Sequence, residues 1–320
     1  MTFNVLKSYS DFFFEEIVEK CPGIKVNDQW MSSILILDSV SAKIIDKFID
    51  YIDLLEKNVL GIENLNKIRC GISNVHAIYL VEPTSESVQQ IIEDFSPKRK
   101  TVNMTNDQMT KYFSVHVVFI SKVSDDILAK MAGCKDLSFS LLSVRECELN
   151  IFFHNRHVFN FKLNSISSFL KRDYSNKQCY NELANRFLDL EPILRQFQSI
   201  QLIYEQSFES NSFIDTVESH LSKILQRNWT SGKNQNRKCY VMMMERSTDA
   251  LSLFARNESY SSALFSSQKS MLNNLNYEGG SNSSKKQVAK LDEDDQLWNE
   301  FRYQSLENAK IQINSKLKGF

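Results

Sequence analysis

Between Trp30 and Cys134, short apolar runs alternate with amphipathic stretches. The run Ser-Ile-Leu-Ile-Leu at 33–37 ends at Asp38, and Val40, Ile44, Phe48, Ile52 and Leu55 then recur at helical spacing. This pattern predicts a strand followed by one helix that Gly61 closes. A second apolar run, 75–81, stops at Glu82-Pro83, and Thr84-Ser-Glu-Ser reads as the cap region of a helix through Phe95. A third run, 114–120, is β-branched and aromatic, and Ser124-Asp-Asp opens a further helix ending near Gly133. Three strand–helix alternations predict parallel strands with right-handed crossovers, an α/β domain.

The pattern changes beyond that point. Three short apolar runs in 137–161 predict strands, and 176–198 and 210–228 predict two long helices. After a polar linker at 230–237 comes the run 239–244, apolar along its whole length as in a parallel strand covered on both faces. Two helices are expected after Glu258, separated by an exposed flexible loop at 277–286 (YEGGSNSSKK). The second begins behind the acids 292–295, which suit a positive helix N-terminus. Trp298, Phe301, Ala309, Ile313 and Leu317 are expected on one side of it.

Composition narrows the class. With 39 acidic and 38 basic residues the chain carries a formal charge of -1, which argues against a nucleic-acid partner. A hydrophobic share of 42% in 320 residues supports real cores. Only 8 Gly and 4 Pro occur, too few for an all-β chain of tight hairpins, so a large helical content is expected. The N-terminus has acids directly behind its aromatic run and does not read as a signal peptide. No apolar stretch approaches the roughly 18 residues of a membrane span. The 6 cysteines are scattered without a CxxC pair, as expected of reduced thiols in a cytosolic protein.

Candidate chemistry is sparse. The turns after Asp38 and Ile120 lack the glycines of a phosphate-binding loop, and no GxGxxG, GxxxxGK[ST] or GxSxG motif occurs. His154 and His157, near Cys147, lack a fourth ligand at suitable spacing, so no metal and no cofactor is expected. Glu245, Arg246 and Asp249 follow an apolar run without a nucleophile–base pair and read as an ion-pair cluster. From the residues alone, an α/β enzyme of unknown substrate stays open, disfavoured by the missing phosphate loop and triad.

Several segments together resemble the SM (Sec/Munc) family, cytosolic proteins that bind syntaxins and assembled SNARE bundles during vesicle fusion. Trp30-Met-Ser-Ser-Ile-Leu-Ile-Leu-Asp38 is similar to the family's opening strand. The run GIENLNKIRCGISNVHAIYLVEPTSESVQQIIEDF (61–95) carries its Gly, Glu-containing turn, Arg, Ala-Ile-Tyr, Pro-Thr and Glu-Ser-Val. YFSVHVVF (112–119) is similar to the next strand, 239–260 to the strand ending in Asp-Arg-x-x-Asp, and LDEDDQLW to its Leu-Asp-x-x-Asp-x-Leu-Trp helix. The Asp-Glu-Asp-Asp form looks most like the exocytic branch. Departures are Glu245 in place of Asp, and Leu253, Arg256 and Asn257 in place of Pro, His and Glu. Chains of the family are longer.

The resemblance implies a parallel-sheet α/β first domain over 1–135. The first half of an α/β second domain over 136–245 and the start of a mainly helical third over 246–320 would follow. It implies a non-enzymatic regulator of vesicle docking, exocytosis and membrane fusion. Its partner would be a syntaxin-like SNARE protein, alone or in the assembled SNARE bundle. The protein would be cytoplasmic and recruited peripherally to plasma or vesicle membranes through the SNARE. Asp38, Glu63, Lys67 and Arg69 match the positions that grip a syntaxin bundle, although Arg69 and Asp38 fit an internal ion pair equally well. Val123, Leu128, Ala132 and Glu148 match a pocket for a syntaxin N-terminal peptide, the last across a three-residue insertion. Leu128 and Ala132 fit the buried side of a crossover helix too.

Overall fold

The computed structural model describes residues 4–23, 25–26, 29–96, 111–155, 158–161, 177–205, 211–228, 237–244, 258–267, 274–278, 286–291 and 295–318. The chain forms two compact units by packing. One draws on Met1–Phe152, Asn160–Leu202 and Ser210–Val241, the other on Phe153–Phe159, Ile203–Glu209 and Met242–Phe320.

The first unit opens with helix α1 (Val5–Phe13), continued by a π-helical turn, Phe14–Val18. A small antiparallel pair, β1 (Lys25–Val26) and β2 (Gln29–Trp30), follows. The central sheet holds β3 (Ser33–Leu37), β4 (Val59–Asn64), β5 (Ile72–Val81), β6 (Tyr112–Phe119) and β7 (Leu141–Glu146). Its order is β4-β3-β5-β6-β7, and every neighbouring pair is parallel. The expected α/β class is therefore present, with β7 coming from the strands expected over 137–161 and β4 the one strand not expected. Ile34, Ile36, Ala77, Tyr79, Val115 and Val117 meet Val88, Ile91 and Phe95 of helix α4 (Ser85–Phe95) in one core. Leu35, Leu37, Ile78 and Leu80 alternate to the other face and are equally buried, so both faces are covered. Thr84 caps α4 by accepting from the Ser87 amide, as its sequence implied. Helices α5 (Asp125–Ala132) and α6 (Lys135–Ser140) bridge β6 to β7.

The single helix expected after Asp38 is two, α2 (Ser39–Ile45) and α3 (Tyr51–Glu56). Phe48 turns inward between them and packs on Tyr9 at 5.8 Å between ring centroids, breaking the run. Ile52 and Leu55 consequently point to solvent while Leu54 is buried. Gly61 does not close a helix. It lies within edge strand β4, and the turn is made by Asn58, at φ 61°. The Asn58 carbonyl there accepts from the Ser33 amide at 3.0 Å, fastening the turn to β3.

Beyond β7, β8 (Ile151–Asn155) pairs with β9 (Val158–Phe161). The helix expected over 176–198 is interrupted. Lys177–Asn185 gives way to a 3-10 turn, Arg186–Leu190, and a short helix, Glu191–Leu194. The unexpected strand β10 (Ser199–Tyr204) pairs with β11 (Lys238–Met243), and Asn211–Asn228 is helical as expected. Along β11 half-buried and exposed positions alternate, with Tyr240 and Met242 exposed, instead of burial on both faces.

In the second unit, Tyr260–Ser267 is helical, and the ends of the expected loop at 277–286 belong to an antiparallel pair, β12 (Asn274–Glu278) and β13 (Lys286–Lys290). The last helix is also two, Gln296–Phe301 capped by Asp295 and Leu306–Leu317 capped by Ser305. Buried Arg302 lies at the break, and Leu317 is exposed rather than aligned with Trp298. The residues 245–250, His157 and 292–294, on which ion-pair, metal and capping readings fell, lie outside the described residues. Among the described residues no helix is long and apolar enough to cross a membrane.

Candidate functional site

The segment joining β4 to β5 is held down at two points and exposed between them. Leu65 is buried, and its amide donates to the Leu37 carbonyl at 2.7 Å. Arg69, 6% exposed, is the second anchor. Lys67 stands in solvent between them and Ile68 is 97% exposed.

Beneath this arch lies a buried ion cluster. Arg69 Nη2 pairs with Asp94 of α4, and Lys111 Nζ donates to the other Asp94 oxygen at 2.6 Å. The Tyr79 hydroxyl donates to Asp94 Oδ2 at 2.9 Å. Glu63, half-buried on β4, accepts from the Tyr112 hydroxyl at 2.7 Å and lies 4.0 Å from Arg69 Nε. Burial and the neighbouring carboxylates push both phenols well above their ordinary pKa, so they remain donors.

Asp38 is buried and saturated with backbone donors. One oxygen takes the Val40 and Ser41 amides at 3.1 and 2.8 Å, capping α2, and the other takes the Glu82 amide at 2.6 Å. Of the four residues expected at the cleft, Asp38 and Arg69 thus serve the fold from below. Glu63 is half-held, and Lys67 is exposed. Asp94, Lys111 and Tyr112 were not singled out from the sequence. A signal existed for Asp94, which sits three residues after Ile91 on the inward stripe of α4, where an acid needs a cation.

The second expected group divides differently. Val123 is buried, and its amide donates to Glu146 at 2.9 Å. Ile127 and Met131 turn α5 onto the core, whereas Leu128 is 37% exposed and Ala132 faces solvent, so neither is the buried side of a crossover helix. Phe139 of α6, missed in the sequence, is 91% exposed. Glu148 is half-buried and its carboxyl is pushed up to about 7 by burial and by Asp189, against the pull of Arg186. Asp189, fully buried, is pushed up to about 6 by burial while accepting from the Asn150 amide at 3.0 Å.

Two buried imidazoles, His76 and His116, meet edge to face at 5.7 Å on β5 and β6. His116 lies 3.1 Å from the Pro22 carbonyl and 2.7 Å from the Ser143 hydroxyl. Burial and His116 push His76 down to about 4, so the pair is neutral near pH 7. No group of three or more His, Cys, Asp and Glu placed to hold a metal occurs among the described residues.

The sequence and the parallel-sheet fold both match known proteins. The Sec1 family model matches residues 33–320, and the chain belongs to the Sec1 family. The SNARE-interacting protein KEULE of Arabidopsis thaliana is 22% identical over 305 residues, covering 90% of this chain and 44% of its own. The chain thus spans less than half the length of that relative. A chain in the crystal structure of the Unc18–syntaxin 1 complex from Monosiga brevicollis shares the fold at a TM-score of 0.73. Its identity is 19%, over 99% of this chain and 54% of that one. Sly1p in complex with an N-terminal peptide of Sed5p gives a TM-score of 0.69 at 16% identity, over 100% of this chain and 53% of that one.

Proposed function

We propose that this protein binds a syntaxin-like SNARE helical bundle and regulates vesicle docking and membrane fusion, without enzymatic activity. The observation that carries this reading is the Sec1 family match over residues 33–320. The Unc18–syntaxin 1 complex and the SNARE-interacting relative supply the partner's class. The docking edge is Lys67 and Ile68, an exposed cation beside an exposed apolar side chain, which suits a helix presenting acids around an apolar strip. Asp38 and Arg69 support that edge and Glu63 lines it. A second contact, by likeness to the Sly1p–peptide complex, takes a syntaxin N-terminal peptide on the α5 face through Leu128 and Ala132, with Val123 and Glu148 behind. Residues 1–135 act as the partner-binding domain, 136–245 as part of a second domain and 246–320 as the start of a third. The protein works in the cytoplasm and reaches membranes through its SNARE. Size-exclusion chromatography with the Monosiga brevicollis syntaxin 1 helical bundle tests this. Co-elution is expected; separate elution of both proteins at micromolar concentration counts against it.

A further inference from the structure

We propose that Asp94, Lys111 and Tyr112 are positioning residues that set the Lys67–Ile68 edge through Arg69 and Glu63. This rests on reading that edge as the docking edge. The chain between Leu65 and Cys70 enters the interior only at Leu65 and Arg69, so the arch between them is fixed by one apolar and one ionic anchor. Within the arch the Lys67 amide donates to the Asn64 carbonyl at 3.2 Å, and the Asn66 amide to Asn64 Oδ1 at 2.9 Å. Arg69 Nη1 reaches the same Asn64 carbonyl at 3.5 Å, so one guanidinium ties the start of the arch to Asp94 below its end. A planar fork can do both at once, which a lysine ammonium cannot.

The cluster joins three elements: β4 through Glu63, the C-terminal turn of α4 through Asp94, and the start of β6 through Lys111 and Tyr112. The Lys111 amide donates to the Asp94 carbonyl at 3.3 Å, adding a backbone tie. Its formal charges cancel, two cations against two carboxylates. A neutral but buried ion cluster is a poor way to add stability compared with apolar packing, and its best-attested use is to specify one geometry. The geometry specified here is that of the arch. The brace retains one adjustable joint: Arg69 Nε has no hydrogen-bond partner and Glu63 lies 4.0 Å away. Tyr112 holds Glu63 in that position.

Hydrogen exchange of the full chain, with Arg69→Lys and Tyr112→Phe variants, tests the brace. Arg69→Lys keeps the charge but loses the fork. Tyr112→Phe keeps the aromatic packing on Tyr79, 6.4 Å between centroids, and frees Glu63. Amides at 66–69 are expected to exchange about tenfold faster in Arg69→Lys and less so in Tyr112→Phe, with β5 and β6 unchanged. Unaltered exchange at 66–69, or equal acceleration through β5 and β6 as a merely structural role gives, overturns the proposal. A binding arm uses the Monosiga brevicollis syntaxin 1 helical bundle. Lys67→Ala is expected to weaken binding in the wild-type background and to have little effect beside Arg69→Lys; equal losses in both backgrounds overturn the proposal. If the wild type binds no bundle, the docking reading falls and exchange alone decides the brace.

Discussion

Asp94→Asn is the sharpest perturbation of the fold beneath the edge. The carboxylate is 5% exposed and faces Arg69 and Lys111, which are 6% and 8% exposed. Water therefore cannot replace the lost charge. The amide oxygen keeps an acceptor for the Tyr79 hydroxyl, while the new NH2 faces the Lys111 ammonium, so the change removes the charge and the acceptor for Lys111. What remains is two buried cations, with Glu63 only 4.0 Å from Arg69 Nε as partial compensation. Breaking a buried pair by removing one partner costs about 3–5 kcal/mol. At about 2–4 °C per kcal/mol for a unit of this size, the melting temperature should fall by about 6–20 °C. Urea unfolding followed by circular dichroism measures the loss, with an unchanged m-value showing that the unfolding unit is the same. The double variant Asp94→Asn/Lys111→Met removes one stranded cation and should recover part of it. A single-variant loss under about 1 kcal/mol, the range of an exposed pair, would refute the burial argument.

Lys67→Glu should leave stability within about 0.5 kcal/mol, because the side chain is exposed. It should weaken syntaxin-bundle binding more at low salt than at high, measured as an association rate against ionic strength. Leu128→Glu should likewise fold normally, while N-terminal peptide affinity measured calorimetrically drops by about 2 kcal/mol, or about 30-fold; normal peptide binding would remove Leu128 from the pocket. Glu148, raised to about 7 in the folded chain from 4.5, contributes stability that is present below about pH 4.5 and lost as pH rises through 7. Glu148→Gln should therefore remove a decline in stability that lies between about pH 4.5 and 7, read by thermal unfolding as the difference between variant and wild type. On the acid side His76, lowered to about 4 from 6.5, works oppositely: stability falls from pH 6.5 towards 4, and His76→Gln should reduce that fall.

Local rules sufficed where the chain is locally decisive. β3 is a serine and four apolar residues ended by Asp38, and Asp38 does end it, by capping α2. Thr84, Ser124 and Asp295 stand at helix starts where their residue types and followers placed them. Misreadings came where a tertiary contact overrides periodicity. Val40, Ile44, Phe48, Ile52 and Leu55 fit one helical stripe, but Phe48 is drawn onto Tyr9, and the register of everything after it changes. Edge strand β4 was missed because only one side of it is covered, so Leu60 and Ile62 are exposed and alternation is weak. The site was legible as a region rather than as roles. Motif likeness pointed to 63–69, yet whether Arg69 faces out or in depends on Asp94 and Lys111, 25 and 42 residues further along the chain. Pairings at that separation leave no local trace.

The most direct test of the SNARE-docking edge is photo-crosslinking from position 68. A photoreactive phenylalanine analogue at Ile68, which is 97% exposed, should leave the fold intact. It should crosslink to a syntaxin helical bundle lacking its N-terminal peptide. A second probe at Phe139, on the α5–α6 side, should crosslink only when that peptide is present. Capture from 68 that Lys67→Glu diminishes at low salt is the expected result. A bundle that binds without crosslinking at 68, or that crosslinks equally from 139 without its peptide, would contradict docking at this edge.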